Sequence, residues 1–234
     1  MYCFTVKVAD LVIKIETKYG YTEKLFADYI CDSVSEDIYV PFSEEGLALE
    51  CKNDLNAPEW YHESLYVYRV ICEKILDYNA MLLHSSAVCL DGEAYLFTAP
   101  SGTGKSTHTR LWREFFGDRV FMINDDKPII RYRNGRFYAY GTPYDGQHHI
   151  SRNTHAPIKG ICIIARGEKN NIKRVSADES VAMLMNQTLL PRDPEKMDTL
   201  LNLLDTLLSS VPIYRLECNI SEEAVTVAYE NMKN

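Results

Sequence analysis

The apolar run Ala94-Tyr95-Leu96-Phe97-Thr98 leads straight into Ala99-Pro100-Ser101-Gly102-Thr103-Gly104-Lys105-Ser106, and residues 107–116 then read as a helix that ends near Gly117. Strand, glycine-rich turn and helix in immediate succession fix how this part of the chain must run. Gly102 and Gly104 let the backbone curl so that its N–H groups converge, and the start of the helix adds its own partial positive charge. Lys105 is placed to reach β- and γ-phosphates, and Ser106 to offer its hydroxyl to Mg²⁺. With Ser101, Thr103 and Thr107 these residues form a phosphate-binding loop, with Ala99 where the strict pattern has glycine. The competing reading is a glycine-rich turn that carries a surface lysine. The flanking strand and helix favour the loop.

The rest of the chain bounds what such a loop serves. A net charge of −8 over 234 residues speaks against a nucleic-acid surface. None of the seven cysteines (3, 31, 51, 72, 89, 162 and 218) is spaced as Cys-x-x-Cys. They read as reduced core thiols rather than a zinc site. The first residues, Met1-Tyr2-Cys3-Phe4-Thr5-Val6-Lys7-Val8, show no basic leader followed by an apolar stretch, and no apolar run reaches the roughly 18 residues of a membrane span. The expectation is a soluble, cytoplasmic protein that binds neither nucleic acid nor membrane.

Along the chain, alternation over residues 2–15 predicts two short strands. Thr22 is placed to cap a helix carrying Leu25, Phe26, Tyr29 and Ile30. Residues 38–40 read as a strand stopped by Pro41, and 58–78 as a long helix that buries Leu65, Ile71 and Ile75. From residue 81 the texture changes. Apolar runs at 81–90 and 93–98 are joined by Asp91-Gly92, and strands at 128–133 and 136–140 by Asn134-Gly135, both hairpin signals. Further strands are expected at 119–123, 158–165 and 212–217, and helices at 178–189, 194–209 and from Ser221. These hairpins beside the glycine loop predict an α/β fold whose sheet is mixed, with flanking helices. The division expected is an N-terminal extension over 1–80 packed on a core over 81–234.

Three further groups carry candidate chemistry. The strand Val120-Phe121-Met122-Ile123 delivers Asn124-Asp125-Asp126 about 20 residues after Lys105. Phosphoryl transfer uses one carboxylate near the metal and often a second towards the nucleophile. The alternative is a solvated turn, and the loop tips the choice towards function. His84 lies at a strand end, where a structural histidine is the ordinary reading. The segment Gly141-Thr142-Pro143-Tyr144-Asp145-Gly146-Gln147-His148-His149 is either a surface loop or a wall of the site. Arg152 and Arg166 are candidate phosphate partners or plain surface arginines.

The order of these pieces resembles a known superfamily. His84-Ser85-Ser86-Ala87-Val88, Tyr95-Leu96-Phe97, Ser101-Gly102-Thr103-Gly104-Lys105-Ser106-Thr107 and Asn124-Asp125-Asp126 are similar to the His-x-Ser-Ala segment, Ser-Gly-Thr-Gly-Lys-Thr-Thr loop and Gly-Asp-Asp step of ATP-dependent phosphoenolpyruvate carboxykinase. The same order resembles the catalytic domain of HPr kinase/phosphorylase. The likeness spans about residues 81–166. It implies an HPr kinase/carboxykinase-like fold, ATP and Mg²⁺ as cofactors, and a set of roles. Lys105 would hold the β/γ-phosphates and Ser106 would ligate Mg²⁺. One of Asp125 and Asp126, with Asp126 the first choice, would be a metal ligand and the other a general base. His84 would sit beside the γ-phosphate, and an oligomer is implied.

At 234 residues the chain is far shorter than a carboxykinase, and residues 1–80 do not look like the HPr kinase regulatory domain. The likeness is nearest to compact, stand-alone HPr-kinase-like proteins, some of them associated with modification of ribosomally made peptides. The expected activity is therefore transfer of the γ-phosphate of ATP to a serine hydroxyl of a small protein or peptide. A small-molecule hydroxyl kinase and a nucleotide-binding subunit without catalysis are the alternatives.

Overall fold

A computed structural model describes residues 1–52 and 54–233. The chain divides into two compact units, Met1–Tyr78 and Asn79–Asn234. In the first, β1 (Tyr2–Val8) and β2 (Leu11–Thr17) form an antiparallel hairpin. Its two turn residues, Ala9 and Asp10, both have positive φ, the turn that matches strand twist. A short helix α1 (Tyr21–Leu25) is followed by β3 (Ile38–Val40), which joins β2 in parallel, and then by α2 (Glu44–Cys51) and α3 (Glu59–Lys74).

Two expectations for this unit need correction. Thr22 does not cap α1: its side chain is fully buried within the helix, and Gly20 holds the cap position. The long helix ends at Lys74, with a 3₁₀ turn over residues 75–78, and it buries Val67, Tyr68, Ile71 and Cys72 while Leu65 is only half-buried. Helix α2 was not expected, although Ser43 Oγ accepts from Gly46 N–H at 3.0 Å, an ordinary N-cap.

The second unit holds β4 (Ala80–Leu82), β5 (Ser85–Leu90), β6 (Glu93–Thr98), α4 (Lys105–Phe116), β7 (Val120–Asn124), β8 (Ile129–Arg133), β9 (Arg136–Tyr140), β10 (His155–Arg166), β11 (Asn171–Arg174), α5 (Ala177–Met185), α6 (Pro194–Ser210), β12 (Ile213–Cys218) and α7 (Glu222–Met232). The expected strand over 81–90 breaks at Leu83–His84. There Leu83 N–H turns to Pro128 O and His84 N–H to Gln187 O, so β4 pairs with β8 while β5 pairs with β6 and β7.

These strands make one nine-stranded mixed sheet, centred on the long β10. The start of β10 pairs antiparallel with β9. Past an irregularity at residues 158–160 it runs parallel to both β6 and β12. A Cβ on Gly160 would lie 3.3 Å from Met232 and Tyr214, so this crowded point favours glycine. The sheet packs on α4 and α7 around Trp112, which is fully buried against Tyr95, Phe97, Phe116 and Tyr229. Burying large apolar side chains at about 25 cal/mol per Å² fixes α4, and with it the loop at its start. Because β6, β10 and β12 are parallel and β7 runs with β6, their C-terminal ends lie along one edge of the sheet. In open α/β sheets that edge is where ligands bind. Among the described residues no helix is long and apolar enough to cross a membrane.

Candidate functional site

The glycine loop joins the end of β6 to the first turn of α4. Gly102 and Gly104 have φ of +75° and +125°, which L-residues rarely adopt, and a Cβ on either would meet nothing within 4 Å. The backbone conformation demands glycine, and the loop encloses open space. The N-terminus of α4 has no side-chain cap and no acidic residue in its first turn, whereas α2, α5, α6 and α7 are each capped by a serine or aspartate. Its first N–H groups and the helix dipole are thus left for an anion.

Lys105 is 7% exposed, and its Nζ donates to Ala99 O at 2.9 Å. Burial lowers its pKa, while the charges of Asp126 and Asp125 pull the other way. Those two carboxylates follow β7 on a turn built by Asn124. The Asn124 Oδ1 accepts from the N–H groups of Asp126 and Lys127 at 2.9 and 2.7 Å, and its Nδ2 donates to Thr142 O and Oγ1. Asn124 is fully buried with both ends of its amide engaged, so the Asp turn is held by an internal brace.

The pairing of β5 with β7 brings Ser86 and His84 to the same turn. Ser86 Oγ lies 2.7 Å from Asp125 Oδ1 and donates to that carboxylate. His84 Nε2 lies 3.1 Å from Asp126 Oδ1, and Lys127 Nζ donates to Asp126 Oδ2 at 2.8 Å. Burial by itself disfavours the charge on Asp126, but hydrogen bonds from His84 and Lys127 outweigh it and hold the pKa at about 2. The other ring nitrogen of His84 lies 2.8 Å from Gln187 Oε1, and the His84 N–H donates to Gln187 O at 2.7 Å.

Together His84, Ser101, Gly102, Gly104, Lys105, Ser106, Thr107, Asp125 and Asp126 line one cleft of about 380 Å³. Thr103 lies outside it, in a neighbouring cavity of about 600 Å³ that shares Gly102, Gly104 and Thr107 with the cleft. The turn after β9 adds Gly146, Gln147 and His148 to the lining of the cleft, with Gly146 beside Asp126. The two adjacent histidines part company there. His149 Nδ1 pairs instead with the buried Asp145 at 2.9 Å, and Asp145 also accepts from Ser151. Arg166 reaches the loop from the end of β10 and donates to Thr103 O and Gly102 O. Arg152 does not reach the site: it lies over the Phe121 ring.

Sequence reasoning passed over Gln187, Lys127 and the Ser86 contact. Lys127 and Ser86 adjoin motifs already marked. Gln187 stands 103 residues from His84, and no local pattern points to it.

No family profile matches this chain, and no curated protein matches it. Chains of several solved structures are similar to it, among them the Hpr(Ser) kinase/phosphatase from Coxiella burnetii. That match has a TM-score of 0.38 and 8% identity over 64% of this chain and 95% of that one. So loose a likeness assigns neither family nor activity, and the functional reading rests on the site itself.

Proposed function

We propose that this chain is an ATP- and Mg²⁺-dependent phosphotransferase that moves the γ-phosphate to a serine hydroxyl of a small protein or peptide. The observation that carries the reading is the convergence, in one cleft, of an uncapped helix start behind two positive-φ glycines, a buried lysine and two carboxylates. Anion-binding amides and a cation facing a carboxylate pair are what phosphoryl transfer requires.

The residues present fit the implied groups. The open cradle at Gly102 and Gly104 would admit phosphate oxygens. The Ser106 hydroxyl and Asp126 carboxylate are the hard oxygen donors that Mg²⁺ prefers. Mg²⁺ is commonly held by one or two protein oxygens together with phosphate oxygens and water, so these two donors would suffice. When bound, Mg²⁺ would offset charge on the phosphate oxygens.

The two carboxylates separate by environment. Asp126, held well below the usual carboxylate range by His84 and Lys127, suits metal ligation. Asp125 is left as the group towards the acceptor. It would take the proton of the hydroxyl as the new O–P bond forms and the bond from the γ-phosphorus to the β,γ-bridging oxygen breaks. The backbone N–H groups of the loop and Lys105 would stabilise the charge on the transferring group, and His84, oriented by Gln187, would stand beside it.

The test is incubation of the full chain with γ-labelled ATP and Mg²⁺ against pooled serine-containing peptides and, separately, hydroxyl metabolites. The proposal expects label on peptide serine. Label on metabolites alone would make the acceptor a small molecule, and tight ATP binding with label on nothing would make the chain a binding subunit.

A further inference from the structure

The cavity on the far side of the glycine loop differs in chemistry from the carboxylate cleft. Its walls include Leu111, Ile164 and Ile220, and no acidic side chain lines it. It meets the cleft at Gly102, Gly104 and Thr107, so a ligand whose phosphates lie against the loop has this second volume open to its other end. Building on the phosphate reading above, we infer that this cavity takes the base of a purine nucleotide, and that the Nδ1–H of His108 is its fixed hydrogen-bond donor.

His108 lies one turn into α4, is 3% exposed and lines the cavity. The Trp112 indole N–H donates to His108 Nε2 at 3.0 Å. An indole nitrogen is a donor only, so Nε2 must be the bare ring nitrogen. Burial keeps the ring neutral, with its pKa pushed down to about 4. The single ring proton is therefore on Nδ1. The Phe97 ring, 4.7 Å away edge to face, holds the imidazole plane in place. No described residue accepts from Nδ1, and His108 lines the cavity. A ligand atom in the cavity would supply the missing acceptor.

Apolar walls at Leu111, Ile164 and Ile220 beside the His108 donor suit a flat heteroaromatic ring that offers a ring nitrogen, while Arg166 and Asn219 line the polar part of the cavity. Adenine and guanine both present N7 as an acceptor, so this donor draws purines in without telling the two apart. The inference therefore predicts a site open to ATP and GTP alike.

Calorimetric titration of the full chain with Mg²⁺ and, in turn, ATP, GTP and inorganic tripolyphosphate tests this. Tripolyphosphate reads the loop alone, whereas the nucleotides read loop and cavity together. The wild-type chain should bind both nucleotides at least about tenfold tighter than tripolyphosphate, and within about tenfold of one another, the worth of roughly one hydrogen bond. His108→Phe keeps an aromatic ring in the core but removes the donor, and should weaken both nucleotides about tenfold while leaving tripolyphosphate unchanged. Leu111→Trp, from a half-buried wall position at the margin of the core, fills the cavity and should do the same if His108→Phe fails to fold. Tripolyphosphate binding as tight as ATP, or equal losses for all three ligands in the variants, would overturn the cavity assignment and leave the loop reading intact. Binding of none of the three by the wild-type chain would overturn both.

Discussion

Asp126 carries a charge that the fold has prepared for. Its carboxylate is three-quarters buried and lies between His84 Nε2 at 3.1 Å and Lys127 Nζ at 2.8 Å. Its pKa is about 2 against an ordinary 3.8. At 1.36 kcal/mol per pKa unit, that difference makes the ionised carboxylate worth about 2 kcal/mol to the folded state. The folded pKa is the lower one, so this stability is present in full above about pH 5. It falls as pH drops through 3.8 and is lost below 2, with about half gone by pH 3.

Urea unfolding of the wild-type chain and of Asp126→Asn from pH 5 to pH 3 isolates the contribution, because titrating groups that do not touch Asp126 cancel in the difference. The variant keeps the shape of the side chain but not its charge. The advantage of wild type over the variant should shrink by about 1 kcal/mol from pH 5 to pH 3. A difference that stays flat, or grows as pH falls, would refute the reasoning that His84 and Lys127 hold this carboxylate ionised.

Two further outcomes follow from the contacts that position the site. Gln187→Met keeps the length of the side chain but removes the partner of His84 Nδ1. It should lower kcat about tenfold with little change in KM for ATP and little loss in thermal stability, and should cost nothing further in a His84→Ala background. Additive losses in that double variant would show that Gln187 does not act through His84. Asn124→Ala strips a fully buried brace and leaves the Asp126 and Lys127 N–H groups and Thr142 short of partners. It should cost roughly 3 kcal/mol in chemical denaturation, and a cost below about 1 kcal/mol would mean that the turn is not held by it.

Much of the site was legible because its parts sit on strong local signals. Two glycines after an apolar strand, a lysine and serine opening a helix, and an Asp pair closing a strand are all patterns a chain shows without its partners. The hairpins at Asp91-Gly92 and Asn134-Gly135 likewise gave away the mixed sheet, since a two-residue turn with positive φ admits few other residues. What could not be read was set by long-range contact. His84 reads as a strand residue until Gln187 draws its N–H out of the ladder. The tautomer of His108 depends on a Trp112 contact that the sequence places one helical turn away but does not orient. Helix α2 has almost no apolar face to show a period, and β11 is four mostly exposed residues that pair with β12 at the edge of the sheet.

The central claim is that residues 99–106 hold a nucleotide for transfer rather than merely turn the chain. The most direct measurement is transfer of labelled γ-phosphate to a peptide serine by the wild-type chain and by Lys105→Ala, each first shown to be folded by circular dichroism. The account predicts transfer by wild type and a loss of at least about a hundredfold in the variant, the scale of removing one preorganised charge-stabilising group. Transfer undiminished in Lys105→Ala would contradict it.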